Sequence, residues 1–144
     1  MRELSHHTKD KGDQGVGFVI ASLLSHNIKI ALPLSEHLPF DLIAISTSGQ
    51  MRKVSVKYRA ERDSKIEVRP ESNWSNAKQF CTRKYEPGEV DAYAIYCPNT
   101  KTCYFVRESD ALHGIILRME PPGNGQTKGI RMAKDFVDPN SIFV

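Results

Sequence analysis

Asp41 and Lys57 flank a short polar turn, and their side chains suit chemistry on a phosphate. Asp41 lies in the run of residues 40–45, which reads as a strand. Ser46-Thr47-Ser48-Gly49-Gln50 is a turn, and residues 51–59 read as the next strand. On that strand the odd positions Met51, Lys53, Ser55, Lys57 and Arg59 share one face, so Ser55 and Lys57 point the same way. A hairpin centred on Gly49 sets Asp41 opposite Lys57 and Ile43 opposite Ser55, a register that a slip would break. A carboxylate can hold a divalent cation against an anionic phosphate oxygen. A nearby ammonium can orient water or help deprotonate it, and can stabilise charge developing on the phosphate. The alternative is a structural ion pair, which the spacing alone favours.

These residues need a frame to hold them. The first ten residues are polar and read as an arm. A helix follows over about residues 11–26, where Val16, Ile20, Leu23 and Leu24 recur at helical spacing beside Val19. Asp10 or Asp13 can cap its start, and Gly15 and Gly17 suggest a close approach to another element. Strands are expected at residues 28–34, 40–45, 51–59 and 64–69, then at 90–97 and 102–106 around a Pro98-Asn99-Thr100-Lys101 turn. Residues 73–89 read as a short helix and a long loop. Residues 110–119 read as a short helix leading into a strand, and residues 131–136 as a last helical turn. The pattern is a mixed α/β or α+β chain, expected to form one domain over residues 1–144.

Composition narrows the class. At 144 residues the chain can bury a core unaided, and 40% hydrophobic with 26% charged residues is ordinary for a globular protein. No stretch approaches the roughly 20 apolar residues that span a bilayer, and the N-terminus has no apolar leader core. The expectation is an intracellular protein with no membrane partner. Cys81, Cys97 and Cys103 are odd in number and lack CxxC spacing, which argues against a disulfide framework or a zinc site. The net charge is +3, but between Arg52 and Lys84 ten basic residues face four acidic ones. Such a concentration is either a solvated face or a footprint for phosphates. On the second reading Arg52, Lys53, Arg59, Arg62, Lys65, Arg69, Lys78, Arg83 and Lys84 are candidate nucleic-acid contacts, with Trp74 and Tyr85 interleaved.

Longer stretches carry a family resemblance. Pro39-Phe40-Asp41, thirteen residues, then Ser55-Val56-Lys57 resembles the split PD…(D/E)xK signature. Taken with the run from His7 to Asp13, the run from Ser35 to Ala44, Val54 to Arg59, Val90 to Pro98 and Gly125 to Gly129, the chain resembles the PD-(D/E)xK endonucleases associated with group I introns. The resemblance implies a restriction-endonuclease-like core, a mixed β-sheet flanked by helices. It implies Mg²⁺-dependent, site-specific cleavage of duplex DNA in intron homing, by a homodimer or homotetramer. Asp41 would bind the metal and Lys57 would be catalytic. Ser55 stands where the family has its second acid, and Val16 where many members carry a helix glutamate in a KGxxxE pattern. Asp13 is a candidate substitute ligand, its alternative being a helix cap. Glu36 and His37 could reach the site from the preceding connection. The competing classes are a DNA-binding protein of this fold that has lost cleavage, and a Holliday-junction resolvase or repair nuclease.

Overall fold

The computed structural model describes residues 7–75 and 78–144. Helix α1 spans His7–Ser25, so His7 to Asp10 are helical and not part of an arm. Asp13 therefore sits in the second turn and is not an N-cap. The buried stripe is Gly15, Val19 and Leu23, spaced four apart. Gly15 does approach another element: a Cβ there would lie 3.5 Å from Val56 Cγ1. Gly17 does not, and has open space around it. Asn27 ends the helix with φ 60°. The Ile28 and Asn27 N–H groups donate to the Leu23 and Leu24 carbonyls at 3.0 and 3.1 Å, the paired bonds of a Schellman cap.

Among the described residues, ten strands follow in chain order. They are β1 (Lys29–Ala31), β2 (Leu42–Ile45), β3 (Met51–Tyr58), β4 (Lys65–Val68), β5 (Glu71–Ser75) and β6 (Phe80–Lys84). The rest are β7 (Ala92–Cys97), β8 (Thr102–Arg107), β9 (Ile115–Arg118) and β10 (Arg131–Met132). Three 3₁₀ turns cover Glu108–Asp110, Ala133–Phe136 and Pro139–Phe143. Strand β1 is shorter than expected: Leu32 and Leu34 lie beyond it, exposed, with Pro33, which has no N–H to donate, between them. The helix expected after residue 110 is only the 3₁₀ turn before it.

The main sheet has the order β1-β2-β3-β7-β8, with β3 and β7 parallel and the other pairs antiparallel. Its two faces are buried differently. Ala92 and Ala94 of β7 join Val19 and Leu23 of α1, Leu42, Val54 and Phe105 in one core. Tyr93, Ile95 and Cys97, alternating with them, pack against Ile66 and Val68 of β4 and Ile115 and Leu117 of β9. The second face is thus covered by a small sheet, β10-β9-β4, where helices were expected. Cys97 belongs to this second core and Cys103 packs against the first, so the sheet separates the two thiols and no disulfide joins them.

The β5–β6 hairpin is the element that sequence periodicity misses. It pairs Glu71 with Lys84 and Trp74 with Cys81, where a helix and loop were expected. Its strands, Glu71-Ser72-Asn73-Trp74-Ser75 and Phe80-Cys81-Thr82-Arg83-Lys84, carry no run of alternating apolar residues. Without that period, a strand has no signature in the sequence.

Candidate active site

The hairpin between β2 and β3 fixes the first side chains. Ser46 N–H donates to the Gln50 carbonyl and Gly49 N–H to the Ser46 carbonyl, both at 2.9 Å, with Gly49 at φ 87°. That is a three-residue loop, closed by a residue in the left-handed region, where glycine carries no Cβ penalty. It centres the hairpin on Ser48, so Leu42 pairs with Val54 and Ile43 with Lys53. The expected pairing of Asp41 with Lys57 and of Ile43 with Ser55 is two residues out. Continuing the observed register brings Asp41 level with Ser55. A shift of two leaves every side chain on its original face, so Asp41, Ser55 and Lys57 still share a cleft.

The cleft has a volume of about 610 Å³. Thr8, Lys11 and Gly12 of α1 form one wall, and Glu36, Leu38 and Pro39 of the connection before β2 form another. Asp41 and the end of β3 make the floor, and Tyr85 closes it. Asp41 Oδ2 accepts the Val56 N–H at 2.7 Å, which holds the carboxylate against the strand. Burial raises the Asp41 pKa, opposed by that N–H and by the Lys57 charge.

Lys57 is 9% exposed. Its Nζ donates to the Glu71 carbonyl at 2.7 Å and to the Tyr85 hydroxyl at 3.4 Å, and lies 5.3 Å from the centre of the Tyr85 ring. Burial, then the Arg59 charge, lowers its pKa to about 8, against the opposing pull of Asp41 and Glu71. Ser55, buried, has its Oγ 3.2 Å from the same Tyr85 hydroxyl. One phenol thus meets both polar side chains of the β3 floor. Tyr85 is held in turn by its N–H, which donates to the Pro70 carbonyl at 3.0 Å, and by its ring, tilted against Tyr93 at 6.1 Å. The missed hairpin and the residue that follows it therefore supply two partners of the lysine, the Glu71 carbonyl and the Tyr85 hydroxyl.

The other expected residues are spread more widely. Asp13 is exposed and lies outside the cleft; Glu36 lines it, and His37 does not. Arg52 is occupied by the end of the chain: its guanidinium donates to the Ile142 carbonyl at 3.1 Å and lies 5.7 Å from the Phe143 ring centre. Lys53 Nζ donates to the Gly88 carbonyl. Arg59, Arg62 and Lys65 line a groove beside the cleft. Arg69 and Lys84 line a further cavity of about 660 Å³, where Arg69 pairs with Glu67 at 3.3 Å. Arg83 pairs with Glu89 at 2.9 Å, and Lys78 is exposed. The Trp74 side chain lies outside the described residues.

Among the described residues no three His, Cys, Asp or Glu side chains cluster to form a complete metal cage. The donors in the cleft are Asp41 and, at its rim, Glu36. This set fits Mg²⁺, which keeps several waters and is commonly bound by one or two carboxylates together with substrate phosphates.

A carboxylate and a buried lysine that share one cleft, at the ends of adjacent strands, define a nuclease-like site. Residues 6–139 match the family of PD-(D/E)XK endonucleases, and the chain belongs to that family. It is therefore an endonuclease, of a family that generally uses divalent metal ions. The fold is similar to that of a bacterial homing endonuclease, I-Ssp6803I, with a TM-score of 0.68 at 20% identity, covering 91% of this chain and 88% of that one. No curated protein matches the sequence. Among the described residues no helix is long and apolar enough to cross a membrane.

Proposed function

We propose that the protein is a Mg²⁺-dependent endonuclease that cuts duplex DNA at specific sites, in intron homing, as a homodimer or homotetramer. The presence of Asp41 and Lys57 in one cleft, where desolvation displaces both pKa values, is the observation that carries this reading. Buried ionisable groups with displaced pKa values are a cost to the fold, and they collect where chemistry uses them. Asp41 holds the ion, with Glu36 the next acid in reach, and exposed Asp13 is left out of the set. The bound ion supplies Lewis-acid polarisation of the phosphate and a template for its oxygens. Lys57, with a pKa of about 8, takes a proton from the attacking water and, once charged, faces the phosphate oxygens. Ser55 contributes a neutral hydroxyl where the family has a second acid, which suits one ion rather than two.

The test is a pool of randomised duplexes and a four-way junction, each incubated with protein and Mg²⁺. Cutting of a defined subset of duplexes, abolished by Asp41→Ala, is the expected result. Cutting confined to the junction makes the protein a resolvase, and binding without cutting makes it a DNA-binding protein that has lost catalysis. An active Asp41→Ala variant removes the assignment of the site.

A further inference from the structure

A second groove opens from the active cleft, and the residues that shape it are in mutual conflict. Lys11, Tyr58 and Arg59 line both spaces, so the two are continuous. The second has a volume of about 640 Å³ and reaches the turn that leads into β4. There Arg62 and Lys65 stand directly opposite each other, each N–H donating to the other's carbonyl at 2.9 and 3.0 Å. Like charges directly opposite on an antiparallel pair destabilise it. Between them Asp63 and Ser64 have φ of 51° and 59°. A two-residue turn with both residues in the left-handed region ordinarily uses Asn-Gly or Asp-Gly, because other side chains are strained there. Two unfavourable choices therefore fall within four consecutive residues.

The charge of the groove is only partly offset: Asp63 and Glu67 line it against Lys11, Arg59, Arg62 and Lys65. Lys11, Arg59, Arg62 and Lys65 make no ion pair among the described residues. Glu67, on the groove wall, is engaged with Arg69. We propose that the groove is a subsite for the DNA backbone, in which these four cations hold phosphates next to the one at Asp41 and Lys57. The inference rests on the endonuclease reading of the cleft and adds the path of the strand leaving it. A phosphate between Arg62 and Lys65 turns their repulsion into attraction. The tight turn holds both side chains at the groove in place of letting them separate. Phosphates bound there do not react, so they are held equally in the ground and transition states, and the subsite acts on KM rather than kcat.

The test is the double variant Arg62→Gln, Lys65→Gln, read for melting temperature and for binding to a mixed-sequence duplex without divalent ion, across a salt series. The expected result is an unchanged or higher Tm together with roughly tenfold weaker binding at low salt. The slope of log K against log salt becomes shallower by about 2, at about 0.9 per phosphate contact. Ser64→Gly relieves the turn, raises Tm and leaves affinity unchanged. Lys134→Glu, on the 3₁₀ turn Ala133–Phe136 and outside these cavities, changes neither reading. A double variant that melts lower or unfolds assigns the pair to the fold and overturns the proposal, as does one that binds with parental affinity and slope. If the double variant binds like the parent while Asp41→Asn still abolishes cutting, the groove fails and the cleft reading stands. If the parent itself does not bind duplex, both fall.

Discussion

Lys57 is the residue whose burial is hardest to explain by stability. Its pKa is about 8 in the folded protein against an ordinary value of 10.5. Between those values the unfolded chain binds more protons, so stability rises with pH across that window. Below about 8 the full penalty applies, on the order of 3 kcal/mol. Lys57→Met removes that penalty but leaves the Glu71 carbonyl and Tyr85 hydroxyl short of a partner, at roughly 1 kcal/mol each. We expect Lys57→Met to abolish cleavage while raising Tm by a few degrees at pH 7, with the gain fading towards pH 10.5; a lower Tm at pH 7 would make the lysine structural. The parent kcat/KM should rise about tenfold per pH unit below about 8 and level off above it. Asp41 works in the opposite sense. Its raised pKa means that stability falls as pH rises from 3.8 through its folded value, so the charged carboxylate is a cost at neutral pH. Asp41→Asn can keep an acceptor for the Val56 N–H without the charge. We expect its Tm to match or exceed the parent's, the rise in parental Tm on adding Mg²⁺ to disappear, and cleavage to be lost. A Mg²⁺-induced shift that survives in Asp41→Asn places the ion elsewhere.

At the scale of elements, the cleft is a joint between three pieces. The β2–β3 hairpin sets Asp41, Ser55 and Lys57 in register, α1 supplies Lys11, and the β5–β6 hairpin with the segment after it supplies Glu71 and Tyr85. Where α1 docks, Gly15 faces Val56 and Tyr58, and a Cβ there would meet them at 3.5 and 3.6 Å, an ordinary contact. Tyr85 is the contact between the second hairpin and the floor of β3. Its hydroxyl accepts from the Lys57 ammonium and so favours the charged form. Tyr85→Phe should therefore lower the Lys57 pKa further and move the bend of the pH–rate profile below about 8, with a small drop in Tm at pH 7 that fades towards pH 10.5. A profile that keeps its bend while Tm drops assigns Tyr85 to packing alone.

For the whole molecule, on the proposed function, one active cleft would meet one strand of a duplex. Cutting both strands then calls for a second copy related by a two-fold axis, which presents a second Asp41 and Lys57 to the other strand. Light scattering should give a mass of two or four chains; a monomer both free and on DNA contradicts this. The basic residues also divide by role at this scale. Arg52 and Lys53 are tied to carbonyls of their own chain, whereas Arg59, Arg62 and Lys65 line open space next to the cleft. Charge-removing changes at Arg52 are thus expected to act first on stability.

The residues around Asp41 and Lys57 were legible because their information is local. Period-two alternation marks β3 and puts Ser55 and Lys57 on one face, and the PD…xK spacing carries the family. Most other strands, with α1, were legible for the same reason, since an apolar period records which side is buried. The register was not, because it turned on the left-handed conformation of Gly49, which moved the centre of the hairpin by one residue and the pairing by two. The β5–β6 hairpin left no apolar period to read. The carbonyl it contributes, and the tyrosine hydroxyl of the residue just after it, come from positions 14 and 28 residues beyond Lys57. Local sequence sets which groups a strand can present. Which distant groups meet them, and how far burial displaces their protons, is decided by packing, because solvation and distance exist only once the chain has closed on itself.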